Sequence, residues 1–162
     1  MVEPAVSAFR VEKERAHAIL TLSSGESAEG CFFLASPAPH GAGRERVGDL
    51  LNAATGFFPF EIHGTRSRRT ALLNRSQVVT VALSDSEAGS VPGYEVATQR
   101  TVRLDLVGGR RIEGVVRVYR PAGRDRLSDW AADPEPFRYV EIDGLTLLVN
   151  LAHVIEISEG SQ

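Results

Sequence analysis

The side chains that could do chemistry in this chain are few and scattered. Cys31 is the only thiol, so no intrachain disulfide can form and no multi-cysteine zinc site exists. A catalytic cysteine needs its pKa lowered by a nearby histidine or a helix N-terminus. Cys31 instead sits in the apolar run Cys31-Phe32-Phe33-Leu34 and reads as a packed side chain. The histidines are His17, His40, His63 and His153; none forms a His-x-x-x-His pair or lies within a few residues of Cys31. A catalytic or metal-binding set would have to assemble across the fold, so no catalytic residue, metal ligand or cofactor is assigned from the sequence. There is no phosphate-cradling glycine loop, nucleophile elbow or cluster of carboxylate ligands.

The strongest local signal for a partner is basic. Arg66, Arg68 and Arg69, with Arg75 beyond, place three guanidiniums in four residues, a pattern suited to phosphate or carboxylate recognition. No aromatic residues are interleaved for base stacking. Lys13 is the only lysine among 18 basic residues, and with abundant alanine and glycine this reads as the codon bias of a GC-rich bacterial genome. Arginine number is therefore weak evidence for anion binding. A net charge of -3 argues against a protein that coats nucleic acid.

These residues are carried on a chain that resembles itself. His17–Leu34 aligns with Thr101–Val118 without a gap at an offset of 84, matching Gly25 to Gly109, Glu29 to Glu113 and Gly30 to Gly114. Arg44–Leu50 aligns with Arg124–Trp130 at an offset of 80, matching Arg46 to Arg126 and Asp49 to Asp129; Glu61 then meets Glu141. Thr70–Val81 aligns with Thr146–Ile157 at an offset of 76, matching Asn74 to Asn150. Phe9, Val11 and Arg15 pair more loosely with Tyr94, Val96 and Arg100. Both changes of offset fall in loops, where insertions are tolerated. The expected organisation is an extended or disordered 1–8, a first unit over 9–83, a linker over 84–93, a second unit over 94–159 and a tail over 160–162.

Within each unit the signals are mostly β. Alternation at Val102, Leu104 and Leu106 has a period of two, and Gly25 or Gly109 marks a tight hairpin. Gly30 and Gly114 recur inside the next strand and predict a bulge or sharp bend. A short helix follows, with Val47, Leu50 and Leu51 on one face. Arg46 and Asp49, like Arg126 and Asp129, are spaced to form an ion pair on it. Three more strands complete the unit, and Asn74 or Asn150 reads as a turn residue before the last. The expected fold is mainly β: two tandem five-stranded, barrel-like units, each with one short helix between its second and third strands. Units this small are marginal alone, so the two are expected to face each other as a pseudo-dimer within one chain.

The order strand, glycine turn, strand with Glu-Gly, then a terminal hydrophobic pair, Asn and a Val-x-x-Ile strand, closest in the second unit's VRLDLVGGRRIEGVVRV and LLVNLAHVIEI, resembles the Sm-like small barrel within the broader SH3-like class. That resemblance implies RNA binding, but the family's Asp-to-Asn recognition motif and the bacterial Tyr-Lys-His element are absent, so no residue inherits that role. The layout also resembles an uncharacterised bacterial family. Together these readings predict a non-enzymatic interaction module whose partner is another protein, with Phe57, Phe58, Phe60 and Trp130 as core residues that could also reach an interface. The second reading is RNA or nucleotide binding through Arg66, Arg68, Arg69 and Arg75; an enzyme acting on a small molecule ranks third. The N-terminus lacks signal-peptide features and no apolar run is long enough to span a membrane, so a cytoplasmic protein is expected.

Overall fold

The structure is a computed structural model that describes residues 12–36, 38 and 43–161. The readings placed on residues 1–8, Phe9, Val11 and His40 lie outside the described residues.

Among the described residues, ten strands and two α-helices follow one another. In the first half these are β1 (Glu12–Leu22), β2 (Ser27–Ser36), α1 (Val47–Asn52), β3 (Phe57–His63), β4 (Arg68–Asn74) and β5 (Val78–Leu83). In the second they are β6 (Thr98–Leu106), β7 (Arg111–Val118), α2 (Leu127–Ala132), β8 (Phe137–Ile142), β9 (Leu145–Asn150) and β10 (Val154–Glu159). A single turn of 3₁₀ helix precedes the last strand of each half, at Arg75–Gln77 and Leu151–His153. The halves therefore share one order of elements.

Local chemistry explains the repeated pieces. Gly25 and Gly109 take positive φ in the first hairpin of each half, which L side chains resist. Asp49 accepts a hydrogen bond from the Arg46 amide at 3.1 Å and Asp129 one from the Arg126 amide at 2.9 Å, closing the first turn of each helix. The arginines also pair through their side chains, at 3.4 and 3.5 Å. Asn74 and Asn150 each accept the amide two residues on, from Ser76 and Ala152, and so start the 3₁₀ turns.

Gly30 and Gly114 answer a different need. They lie where β2 meets β3, and β7 meets β8, over a short ladder: three pairs in the first half and the single pair Val115–Glu141 in the second. A methyl group at Gly30 would overlap the Glu61 carbonyl oxygen, and one at Gly114 would stand 2.6 Å from that of Glu141. Close passage of a neighbouring backbone is what excludes a side chain there.

The architecture differs from two separate barrels. All ten strands form one antiparallel sheet in the order β10-β6-β7-β8-β9-β5-β1-β2-β3-β4. Each half has the same internal order, its last strand beside its first, and the halves join where β9 pairs with β5 over Thr80–Leu83 and Thr146–Val149. Joining satisfies two rows of backbone groups that separate units would leave at open edges.

The cores overlap across the same seam. The first cluster, built on Leu20, Phe32, Phe58 and Phe60, takes in Phe137 and Leu148 from the second half. The second cluster, built on Val102, Leu104, Val116 and Trp130, takes in Val79 from the first. Asn52 at the end of α1 both donates to and accepts from the backbone of Phe137 at 2.9 Å. Residues 84–93 read as a linker by composition, yet Glu87 is buried there. Its carboxylate accepts from the amides of Val47 (2.8 Å) and Gly48 (3.0 Å) and from the Tyr139 hydroxyl, fastening the connection to both halves. No helix among the described residues is long and apolar enough to cross a membrane.

Candidate functional site

Two regions could engage a partner or ligand: the outer strands of the sheet and a polar cluster on the face away from the first core.

The sheet ends in β4 on one side and β10 on the other. Aligned through the offset of 76, β4 corresponds to β9 and β10 to β5, so the two outer strands are the counterparts of the two that zip together at the seam. Their apolar residues invert in exposure. Leu148 is 0% exposed at the seam and its counterpart Leu72 is 67% exposed; Val79 is 7% exposed and Ile155 71%; on the neighbouring strands β8 and β3, Phe137 is 3% exposed and Phe57 63%. The outer strands also differ in charge. Arg66, Arg68 and Arg69 are exposed at and before the start of β4, and Glu156 and Glu159 are exposed on β10.

The seam includes one polar tie. Asn150 is buried and its side-chain amide donates to the Val78 carbonyl across the junction at 2.9 Å, while its oxygen caps the 3₁₀ turn. Asn74 makes the equivalent cap at the outer edge. His153 also crosses the seam, bonding the Ser76 carbonyl at 2.7 Å.

The basic hairpin is less uniform than its sequence. Arg68 lies 3.8 Å from the Glu61 carboxylate, whereas Arg66 and Arg69 have no ion-pair partner among the described residues. Arg75 turns inward: it donates to the carbonyls of Phe57 (2.9 Å), Leu50 (3.1 Å) and Thr55 (3.4 Å) and lies over the Phe58 ring. Its guanidinium ties the end of α1 to β3, and burial lowers its pKa.

The second region gathers residues far apart in sequence. His17, Cys31 and Glu61 are successive cross-strand partners on β1, β2 and β3, and His63 lies two residues beyond Glu61 on the same face. The His63 Nε2 is 3.0 Å from Glu61 Oε1 and 3.7 Å from Cys31 Sγ. Arg15 holds the other carboxylate oxygen at 3.2 Å. His17, its ring 6.1 Å from that of His63, bonds Ser84 and Glu29. Burial, and then the Glu61 carboxylate, push the Cys31 thiol up, the opposite of what a free nucleophile requires. In the second half Val115, Glu141 and Asp143 occupy the equivalent positions, and Glu141 keeps an arginine, Arg117, at 3.1 Å. A carboxylate paired with an arginine is thus found in both halves, the arginine coming from β1 in one and β7 in the other; thiol and imidazole belong to one. Sequence spacing hid this cluster because strand pairing assembles it. The only sequence trace is that the two halves differ at both Cys31 and His63.

A cleft of about 210 Å³ lies between α1, β8 and the connecting segment. Several of its polar groups bond one another or the connecting segment. Tyr94 and Arg117 both bond Glu141, with the Arg117 guanidinium 3.8 Å from the Tyr94 ring centre, and Tyr139 bonds Glu87.

No family model, curated protein or solved structure matches this chain.

Proposed function

We propose that this chain is a non-enzymatic protein-binding module, two small Sm-like or SH3-like bent units in tandem, and that its outer strands β4 and β10 are the binding surfaces. The partner that fits both is a second copy of the chain. One observation carries this reading. The chain already contains a β9·β5 seam, and the edges left unpaired among the described residues are the counterparts of those two strands, with Leu72 and Ile155 exposed where Leu148 and Val79 are covered, and Phe57 on the neighbouring β3 exposed where Phe137 is covered.

Transferring the internal register sets Ile157 opposite Leu72 of the next copy and Glu159 opposite Thr70, one position from Arg69. The Asn74 amide then meets the next Val154 carbonyl, as Asn150 meets Val78. Burying each exposed Phe, Leu or Ile is worth about 1.5–3 kcal/mol. The contact is head to tail, so it closes into a ring or continues as a filament according to the rotation per step.

Sedimentation equilibrium tests the proposal with two edge-blocked variants, Leu72→Glu and Ile155→Arg. Wild type should associate at micromolar concentration and each variant alone should be monomeric. Mixed together, they should form a dimer and nothing larger, because each retains the edge the other lacks. A wild type that stays monomeric to 100 times that concentration, or variants that associate as wild type does, would refute the reading. RNA or nucleotide binding through the exposed Arg66 and Arg69 is the second reading. It requires binding that weakens steeply with salt and survives Ile155→Arg.

A further inference from the structure

A second feature, independent of the sheet edges, concerns the cluster on β2 and β3. We propose that Cys31, Glu61 and His63 form a binding site for a divalent transition metal of the zinc type. The three side chains present one sulfur, one oxygen and one nitrogen, and these atoms all lie within 4.8 Å of one another. Thiolate with imidazole selects zinc-like ions over magnesium or calcium.

The two separations that involve His63 lie close to those of one tetrahedral centre. Bonds of about 2.3 Å to sulfur and about 2.0–2.1 Å to nitrogen and oxygen put ligand atoms about 3.3–3.6 Å apart at tetrahedral angles. The observed separations are 3.7 Å from Cys31 Sγ to His63 Nε2 and 3.0 Å from His63 Nε2 to Glu61 Oε1. The same imidazole nitrogen faces both partners, each of these two separations is within a few tenths of an ångström of the ideal, and the sulfur and oxygen lie within 4.8 Å of each other. The ligands stand on adjacent, hydrogen-bonded strands, with Cys31 directly opposite Glu61. Rigid strands fix such a set more closely than loops do.

Charge also balances. Thiolate and carboxylate together match a dication, and binding expels the thiol proton to solvent. Arg15 is already on the far carboxylate oxygen at 3.2 Å, and can orient Glu61 without occupying the oxygen that faces His63. Arg68, at 3.8 Å and largely exposed, is free to swing into water. Because His63 is only partly buried, three protein ligands leave a fourth position for water or a partner group.

The second half provides a natural control. It keeps the carboxylate at Glu141, paired there with Arg117 of β7, but carries Val115 in place of the thiol. Cys31→Val therefore installs a residue this fold accepts at the equivalent place, and His63→Gln removes the imidazole without adding a carboxylate. The purified full chain is titrated with Zn²⁺ by calorimetry, and with Co²⁺ while following thiolate-to-cobalt absorption. Wild type should bind one ion per chain and develop the thiolate band. Cys31→Val should abolish that band, and each variant should lose at least about 10-fold in affinity. Zn²⁺ should also slow alkylation of the wild-type Cys31 thiol, and a chelator should restore the rate, a readout that needs no variant to fold. Absence of saturable binding, affinity unchanged in Cys31→Val, or alkylation indifferent to Zn²⁺ would each overturn the proposal. None of these readings depends on whether the chain assembles through its edges.

Discussion

The seam between the halves can be tested with a pair of substitutions that share one local effect and differ in one distant one. Asn150→Ala and Asn74→Ala each remove a side chain whose oxygen accepts the amide two residues on, at 3.0 and 3.1 Å. That shared loss is worth about 0.5–2 kcal/mol. Asn150 alone also donates to the Val78 carbonyl, 2.9 Å away across the seam and buried. Removing that donor leaves a buried acceptor unpaired, an extra cost of about 1–3 kcal/mol. Asn74 also accepts from the Ser76 hydroxyl at 3.0 Å, but at an exposed turn where water can replace it, so the excess loss in Asn150→Ala reports chiefly the cross-seam bond. The assay is urea unfolding at nanomolar concentration, below the range of any edge association, followed through Trp130, the only tryptophan and a core residue of the second half. The midpoint should fall further in Asn150→Ala than in Asn74→Ala, with similar slopes. In a thermal scan each kcal/mol of that difference should appear as about 2–4 °C. If the two variants unfold within about 0.5 kcal/mol of each other, the Asn150 amide contributes nothing across the seam and the account of how the halves join is wrong.

Two further expectations follow from side-chain environments. Gly30→Ala should cost more than about 3 kcal/mol, because a methyl there overlaps the Glu61 carbonyl, whereas Gly114→Ala, facing Glu141 at 2.6 Å, should cost about 1–3 kcal/mol. Urea midpoints compare them, and a Gly30→Ala protein as stable as wild type would contradict the close crossing of β2 and β3. The Tyr139 hydroxyl is buried against the Glu87 carboxylate, and both burial and that charge hold its pKa far above the usual tyrosine value. Its contribution is fully present below the unfolded-state pKa of about 10 and is lost as pH rises beyond it, by up to about 1.4 kcal/mol per pH unit. Stability should fall on that slope above pH 10 in wild type, and Tyr139→Phe, though weaker at neutral pH, should show a shallower fall; an unchanged slope would remove Tyr139 as its cause.

Much of the secondary structure was legible because its causes are local. Period-two alternation, glycine at hairpin turns and a carboxylate three residues into each helix act within a few positions, and the repeat let each half check the other. Gly30 and Gly114 show where such reading stops. Their recurrence indicated a special position, but the demand comes from a backbone more than 25 residues away in sequence, so a bend and a close crossing look alike in the chain. Arg75 reads as part of a basic surface because three arginines precede it, yet three carbonyls draw it inward.

The amino-acid order alone set the strands, the two helices and the matched positions that relate one half to the other. Tertiary structure alone decided that β9 joins β5, that Phe137, Leu148 and Val79 cross into the opposite core, and that a thiol, a carboxylate and an imidazole converge on one face. The physical reason is that alternation tells which face of a strand is buried but not which edge it pairs along. Pairing partners are chosen by the burial and backbone hydrogen bonding of the whole sheet.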